Sequence, residues 1–171
     1  MKAYEVINTR RSIRKYSKQE VTIDQIKEIL AFAMQAPSAR NQQPWHFLVV
    51  EAKEQLDQLA QSTPSYRFVN QASKVIVFLT DKTNLTAPNM YPQDLSAAIQ
   101  NALLAARSMG IGTCWCGTYP YAERMDSVAS ILSIPSQYEP FAVVAVGYPE
   151  NTDDFKYINR FDEERIHIGK I

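Results

Sequence analysis

Residues Arg10-Arg11-Ser12-Ile13-Arg14-Lys15 place four cations and a hydroxyl within six positions, with no acid among them. Guanidinium groups take phosphate bidentately, and a serine hydroxyl adds another donor. A phosphate ester is one ligand this segment suits. A solvated basic helix end is the other reading of the same residues. Arg10 and Arg14 share a face if the segment is helical, and Arg11 then points elsewhere.

A second group runs Ala36-Pro37-Ser38-Ala39-Arg40-Asn41-Gln42-Gln43-Pro44-Trp45-His46-Phe47. Prolines at both ends stiffen a loop rich in carboxamides. Asn and Gln each offer a donor and an acceptor, which matches a heterocycle with alternating N–H and C=O groups. The same amides could instead satisfy backbone groups within a turn.

Two cysteines, Cys114 and Cys116, complete the reactive inventory with His46 and His167. A Cys-x-Cys pair on a strand points both thiols to one face. Two small buried residues explain it more simply than redox or metal chemistry. A zinc site needs about four ligands, and the Cys, His and carboxylate residues do not cluster that way. His46, between Trp45 and Phe47, is expected as a structural residue of a buried strand. His167 has no partner in the sequence.

The elements that must position these groups follow from periodicity. Thr22-Ile23-Asp24-Gln25 has capping-box spacing. Ile23, Ile26, Ile29, Leu30, Ala33 and Met34 recur at helical intervals, and Pro37 closes the run. A helix is expected over 22–35. A second is expected over 94–109, with Asp94 as N-cap and Gly110 just past its end. It is apolar around much of its circumference, as for a central helix packed on several sides. Shorter helices are expected near 2–8, 53–61 and 120–132, with Pro120 in the first turn of the last.

Segments 46–50, 74–80, 112–117 and 141–147 are apolar and rich in β-branched or aromatic residues. They predict strands of a sheet covered on both faces. Strands and helices alternate irregularly, so the expected fold class is α+β, a three-layer α-β-α sandwich. Segment 81–93 has no period and is expected as a surface loop. The tail 149–171 is polar, with Phe155, Tyr157, Ile158, Phe161, Ile166 and Ile168 as isolated anchors. It is expected to pack outside its own core, on a partner subunit.

The chain has 171 residues, enough for one domain with its own core. Eighteen Lys plus Arg balance eighteen Asp plus Glu. That zero net charge argues against a general nucleic-acid or membrane-surface binder. It is an average, because residues 10–15 carry four positives and the remainder sums to minus four. The five glycines supply neither of the two common glycine-rich phosphate loops. No apolar run approaches a membrane span, and no signal-peptide core is visible at the N-terminus. A reducing cytoplasm is the expected compartment.

Four motifs in order resemble the nitroreductase family of FMN-dependent oxidoreductases. They are Arg10-Arg11-Ser12-x-Arg14, then Ala36-Pro37-Ser38-x-x-Asn41-x-Gln43-Pro44-Trp45-x-Phe47. Gln100-Asn101-x-Leu103-Leu104-Ala105-Ala106 follows, leading into Met109-Gly110-Ile111-Gly112-Thr113-Cys114-Trp115. The last is Val143-Val144-Ala145-Val146-Gly147-Tyr148-Pro149. The resemblance covers nearly the whole chain and favours the phosphate reading of the arginines.

The resemblance implies a nitroreductase-like fold with a mainly antiparallel sheet. It implies FMN as cofactor, NADH or NADPH as reductant, and a homodimer with FMN at the subunit interface. Arg10, Arg11, Ser12 and Arg160 would hold the phosphate. Arg14 would sit by the pyrimidine edge of the isoalloxazine, where Asn41, with Gln43 in the same motif, would also reach. Pro37, Ser38 and Ala39 would come from the partner subunit. Cys116 and Gly117 would lie near the reactive N5; the family often has a glycine pair there, and this chain has Cys-Gly-Thr. Phe68 and Tyr91 would form part of the substrate wall. The implied activity is hydride transfer from NAD(P)H to the flavin and then to a nitroaromatic, quinone or similar acceptor, in ping-pong order. Flavin reduction, other dehydrogenation, dehalogenation and plain FMN binding remain open on the same scaffold.

Overall fold

The computed structural model describes residues 1–170. Four strands form one antiparallel sheet: β1 (Trp45–Val50), β2 (Lys74–Asp81), β3 (Gly112–Gly117) and β4 (Tyr138–Gly147), in the order β1-β2-β4-β3. β2 and β4 are central, and their side chains alternate between two cores. Ile76, Phe78, Val144 and Val146 face one. Val75, Val77, Val143 and Ala145 face the other. Each strand is apolar on both faces because helices cover both.

Helix α2 (Ile23–Ala33) and helix α4 (Tyr91–Ser108) pack on the first face, through Ile26, Ile29, Leu95, Ile99 and Ala102. The Thr22 hydroxyl accepts from the Gln25 backbone N–H, and the Gln25 side chain answers the Thr22 N–H at 3.0 Å. A cap of this kind contributes about 1 kcal/mol. Helix α3 (Lys53–Ser62) and helix α5 (Ala122–Ile131) cover the second face with Leu56, Leu59 and Val128. Helix α1 (Ala3–Thr9) lies against the far end of α4. The result is the expected α+β sandwich in three layers.

Several expectations need correction. α4 begins at Tyr91, not Asp94, because Pro92 occupies its first turn and starts the helix earlier. Segment 81–93 is therefore only partly loop. Pro120 lies ahead of α5 rather than inside it. β1 is an edge strand, and His46 is exposed rather than buried, with its ring 5.0 Å from that of Tyr138. β4 extends three residues further back than the apolar run predicted.

The tail leaves the body after β4 and is almost entirely exposed. Phe155 is its anchor on this subunit, 4.0 Å below the Arg107 guanidinium. Tyr157, Phe161 and Ile168 are 60%, 71% and 95% exposed.

Candidate functional site

Segment 10–16 is extended and lies along the outer edge of β3. The Ile13 N–H donates to Thr113 O at 2.9 Å, and the Ser17 N–H donates to Tyr148 O at 2.9 Å. Alternation then sorts the side chains. Ile13 is buried while Ser12 and Arg14 stay exposed. Two of the five glycines make room for this strap. A Cβ at Gly112 would lie 2.8 Å from Ile13, and one at Gly147 would lie 2.7 Å from Tyr16. Gly112 and Gly147 are cross-strand partners, so together they form a seat where the strap crosses the sheet edge. The earlier helical alternative for Arg10 and Arg14 is replaced by this extended one.

The strap gathers cations without anions. None of Arg10, Arg11, Arg14, Lys15 or Arg160 takes part in the four ion pairs among the described residues. Arg11 Nη1 donates to Arg10 O at 2.7 Å, but Arg11 Nε and Nη2 are buried and unpartnered. Burial, then Arg11, then Arg160 pull the Arg10 guanidinium below its ordinary range. An unpaired buried charge is costly. Here three guanidiniums repel one another around an opening of about 280 Å³. A neighbouring cavity of about 400 Å³ is lined by Arg11, Ser12, Arg14 and Lys15, with Asp154 at its wall.

The expected residues of β3 and the substrate wall divide between two places. Cys114 and Cys116 are buried, free and on one face, as expected. The Cys116 thiol beside it, helped by Arg14, Ser12 and Arg10, draws Cys114 down to about 7 despite burial. Cys114 and then burial push Cys116 the other way. The thiols therefore lie within the electrostatic reach of the strap. Gly117 ends β3 exposed, with open space where a Cβ would stand. Phe68 lies 5.7 Å under the Arg14 guanidinium, beside an opening of about 420 Å³ lined also by Pro64, Ser65 and Arg67. Tyr91 belongs elsewhere. It heads α4, bonds Glu139 through its hydroxyl and packs edge-on against Tyr119 and Phe141, on the sheet face opposite Phe68.

Loop 37–43 is built differently. Arg40, Asn41 and Gln43 have φ of 52°, 52° and 44°, a left-handed backbone that non-glycine residues adopt only at a cost of about 1–2 kcal/mol each. The loop is held by polar contacts. Ser38 Oγ accepts the Gln43 N–H at 3.0 Å, and Gln43 Nε2 donates to Asn41 Oδ1 at 3.0 Å. Asp94 accepts from the Ala39 N–H at 2.9 Å and from Gln42 Nε2 at 2.7 Å. Gln42 Oε1 accepts the Ala87 N–H at 2.8 Å, and Arg40 Nη1 donates to Thr86 O at 3.0 Å. Asp94 was expected as a cap, and Gln42 was not singled out. Their partners lie about fifty residues away along the chain, beyond any local pattern. A lone carboxylate near the start of an apolar helix was the only available signal.

The strap and the loop do not meet in one subunit. Asp94, at one end of α4, holds the loop. Arg107, at the other end, donates to Thr9 Oγ1 at 3.0 Å, next to Arg10. Thirteen residues of helix separate those contacts by about 20 Å. The loop also feeds β1, and the strap borders β3, the opposite edge of the sheet.

The nitroreductase family's model matches this chain over residues 7–65 and 60–148. The chain belongs to the nitroreductase family. A relative from Archaeoglobus fulgidus, named as a candidate NADH dehydrogenase/NAD(P)H nitroreductase, is 44% identical over 167 residues and covers 96% of both chains. Among solved nitroreductase-like structures, a candidate NADH oxidase from Clostridium acetobutylicum has a TM-score of 0.93 and 42% identity. The match covers 97% of this chain and 99% of that one. A candidate nitroreductase from Desulfovibrio desulfuricans, solved with FMN, has a TM-score of 0.84 and 28% identity, covering 100% and 98%. The antiparallel sheet, its two helical layers and the motif order in this chain are thus those of the nitroreductase fold. No group of three metal-ligating side chains occurs among the described residues. No helix there is long and apolar enough to cross a membrane.

Proposed function

We propose that this chain is an FMN-dependent oxidoreductase that draws electrons from NADH or NADPH. It passes them to a nitroaromatic, a quinone or a similar small acceptor, in ping-pong order, in a reducing cytoplasm. The observation that carries this reading is the cation cluster of Arg10, Arg11 and Arg160. Its buried Arg11 donors lack partners and no carboxylate pairs with it. A phosphate monoester would neutralise this charge and offer acceptors to the guanidiniums. The name of the Archaeoglobus relative and the FMN in the Desulfovibrio structure support the same cofactor and reductant.

FMN, when bound, supplies the hydride chemistry at its N5, so no protein nucleophile or metal is called for. This chain's residues hold and bias it. Arg10, Arg11, Ser12 and Arg160 grip the phosphate. Arg14 would face the pyrimidine edge, where its guanidinium would favour negative charge. Gly117, with Cys116 beneath it, leaves the backbone open to close approach on the N5 side.

The remaining contacts come from a second copy of the chain. The placement of strap and loop at opposite edges of the sheet and opposite ends of α4 favours this. An apolar hollow of about 410 Å³ between α1, α2 and α4, lined by Met1, Val6, Ile7, Phe32, Leu104 and Ala105, suits burial between copies. The exposed aromatic tail suits the same partner. In the assembled dimer, Pro37, Ser38, Ala39, Asn41 and Gln43 reach the partner's flavin. Phe68 borders the acceptor pocket, and Tyr91, which lies on the opposite sheet face of its own subunit at the loop-bearing end of α4, would reach that pocket only from the second copy.

The test is a titration followed by stopped-flow. FMN-loaded protein should bleach with NADH or NADPH and recover its yellow colour on adding nitroaromatics or quinones. Protein that takes up no FMN contradicts the reading. Bound flavin that neither nicotinamide bleaches contradicts the assigned reductant.

A further inference from the structure

Asp94 is a buried carboxylate, 5% exposed, between the apolar contacts of α4. A carboxylate in such a place must be satisfied. Both of its oxygens serve the loop: Oδ1 takes the Ala39 N–H at 2.9 Å and Oδ2 takes Gln42 Nε2 at 2.7 Å. We infer that Asp94 is a positioning residue for the flavin. It acts through Gln42 to hold loop 38–43 in the shape that presents Asn41 to the FMN of the partner subunit. This rests on the FMN reading above and adds to it a residue that touches no ligand.

The hydrogen-bond polarity makes the case. Both Asp94 oxygens act as acceptors here. Asp94 therefore draws the Gln42 amide nitrogen toward itself and leaves Gln42 Oε1 for the Ala87 N–H at 2.8 Å. Gln42 Nε2 also reaches Ala87 O at 3.1 Å. Turning the Gln42 amide over would break the bonds on both sides at once. Once Gln42 is fixed, the backbone around it is fixed. Arg40, Asn41 and Gln43 can then keep their left-handed φ values, which survive only where surroundings over-determine them. A loop that merely joined α2 to β1 would relax to ordinary turn dihedrals. Instead the strained residues are the exposed ones. Asn41 Oδ1 accepts from Gln43 Nε2, and Asn41 Nδ2 has no protein partner among the described residues. The clamp thus holds a free amide donor outward, on the motif that would meet the flavin.

The test uses a paired exchange in full-length protein. Asp94→Asn keeps the shape but sets an N–H against the Gln42 N–H. Its expected result is FMN binding weaker by about tenfold and a lower flavin midpoint potential, because the Asn41 donor is misplaced. Gln42→Glu alone sets two carboxylates together and should weaken FMN binding as well. The double variant Asp94→Asn/Gln42→Glu faces an N–H to a carboxylate again. It should bind FMN more tightly than either single variant and recover most of the potential. Gln42→Ala, which buries no new polar group, covers the case in which Asp94→Asn does not fold, and should also lower affinity and potential. Variants that bind FMN like the wild type at an unchanged potential overturn the role of Asp94. So does a double variant whose losses simply add. A wild type that takes up no FMN in the parallel titration instead removes the underlying reading.

Discussion

The strap at residues 10–16 and the loop at residues 37–43 are both polar, and both carry the motifs that mark the family, yet they are held in opposite ways. The strap has secure backbone contacts and an apolar anchor in Ile13, but its charged ends are unpartnered. The loop has strained backbone, but almost every polar group behind it is paired. One region stores unneutralised charge. The other stores shape. Charge suits the end of a ligand that brings two negative charges, and shape suits the flat end, where direction matters more than field.

Removing stored charge should give the largest effect. Arg10→Ala is expected to weaken FMN binding by about a hundredfold, since a charge-assisted bond contributes about 1.5–3 kcal/mol. Riboflavin binding, which lacks the phosphate, should change little. Equal losses for both ligands break the contrast. Arg11→Met sharpens it further. It should weaken FMN binding yet stabilise the apoprotein, because it removes a buried charge with unpartnered donors. A gain of about 1 kcal/mol would raise Tm by about 2–4 °C. A fall in the Tm of the apoprotein would show that Arg11 is satisfied without ligand.

The seat of the strap comes next. Gly112→Ala puts a methyl 2.8 Å from Ile13 and should cost about 1–3 kcal/mol in urea unfolding. FMN affinity should fall with it, as Ser12 and Arg14 shift. Arg14→Ala removes a cation from the strap together with its contact over Phe68. It should lower the midpoint potential of the bound flavin by roughly 30 mV, with the phosphate contacts intact. An unchanged potential would remove Arg14 from that role.

The smallest effect concerns pH. Cys114 is held below its ordinary value, at about 7, by Cys116 and then the strap cations. A depressed thiol pKa stabilises the folded state above the unfolded value and loses that contribution as pH falls through the folded one. The urea midpoint of wild type relative to Cys114→Ser should therefore rise from pH 7 toward 9. Above that the raised Cys116 opposes it, since the unfolded thiol ionises where the folded one does not. Phosphate bound on the strap should flatten the dependence slightly by neutralising Arg10, the smallest of the strap's contributions.

Much of this was legible from residues alone, and the failures have a common cause. The capping box at Thr22, the two central apolar strands and the apolar α4 each leave a pattern within a few consecutive residues, and their signals were clear. The cation cluster was visible, though not its extended geometry, because a strap on a sheet edge has no period of its own. Asp94 was misread because a carboxylate before an apolar run usually caps a helix; its true partners are Ala39 and Gln42. His46 was misplaced because apolar neighbours do not distinguish an edge strand from a central one. Tyr91 was assigned to a loop because segment 81–93 shows no period, whereas Pro92 in a first turn starts the helix there.

Each flavin is expected to take its charge contacts from one copy of the chain and its shaped contacts from the other. Mixed dimers distinguish this from a site built within one subunit. Arg10→Ala and Asp94→Asn chains, each carrying a different tag, would be co-expressed and the mixed species isolated, then titrated with FMN. In such a dimer one site receives both defects and the other receives neither. One FMN should bind with wild-type affinity per mixed dimer, although both parent homodimers bind weakly. If no tight site appears, strap and loop serve the same subunit and the flavin is not shared between copies.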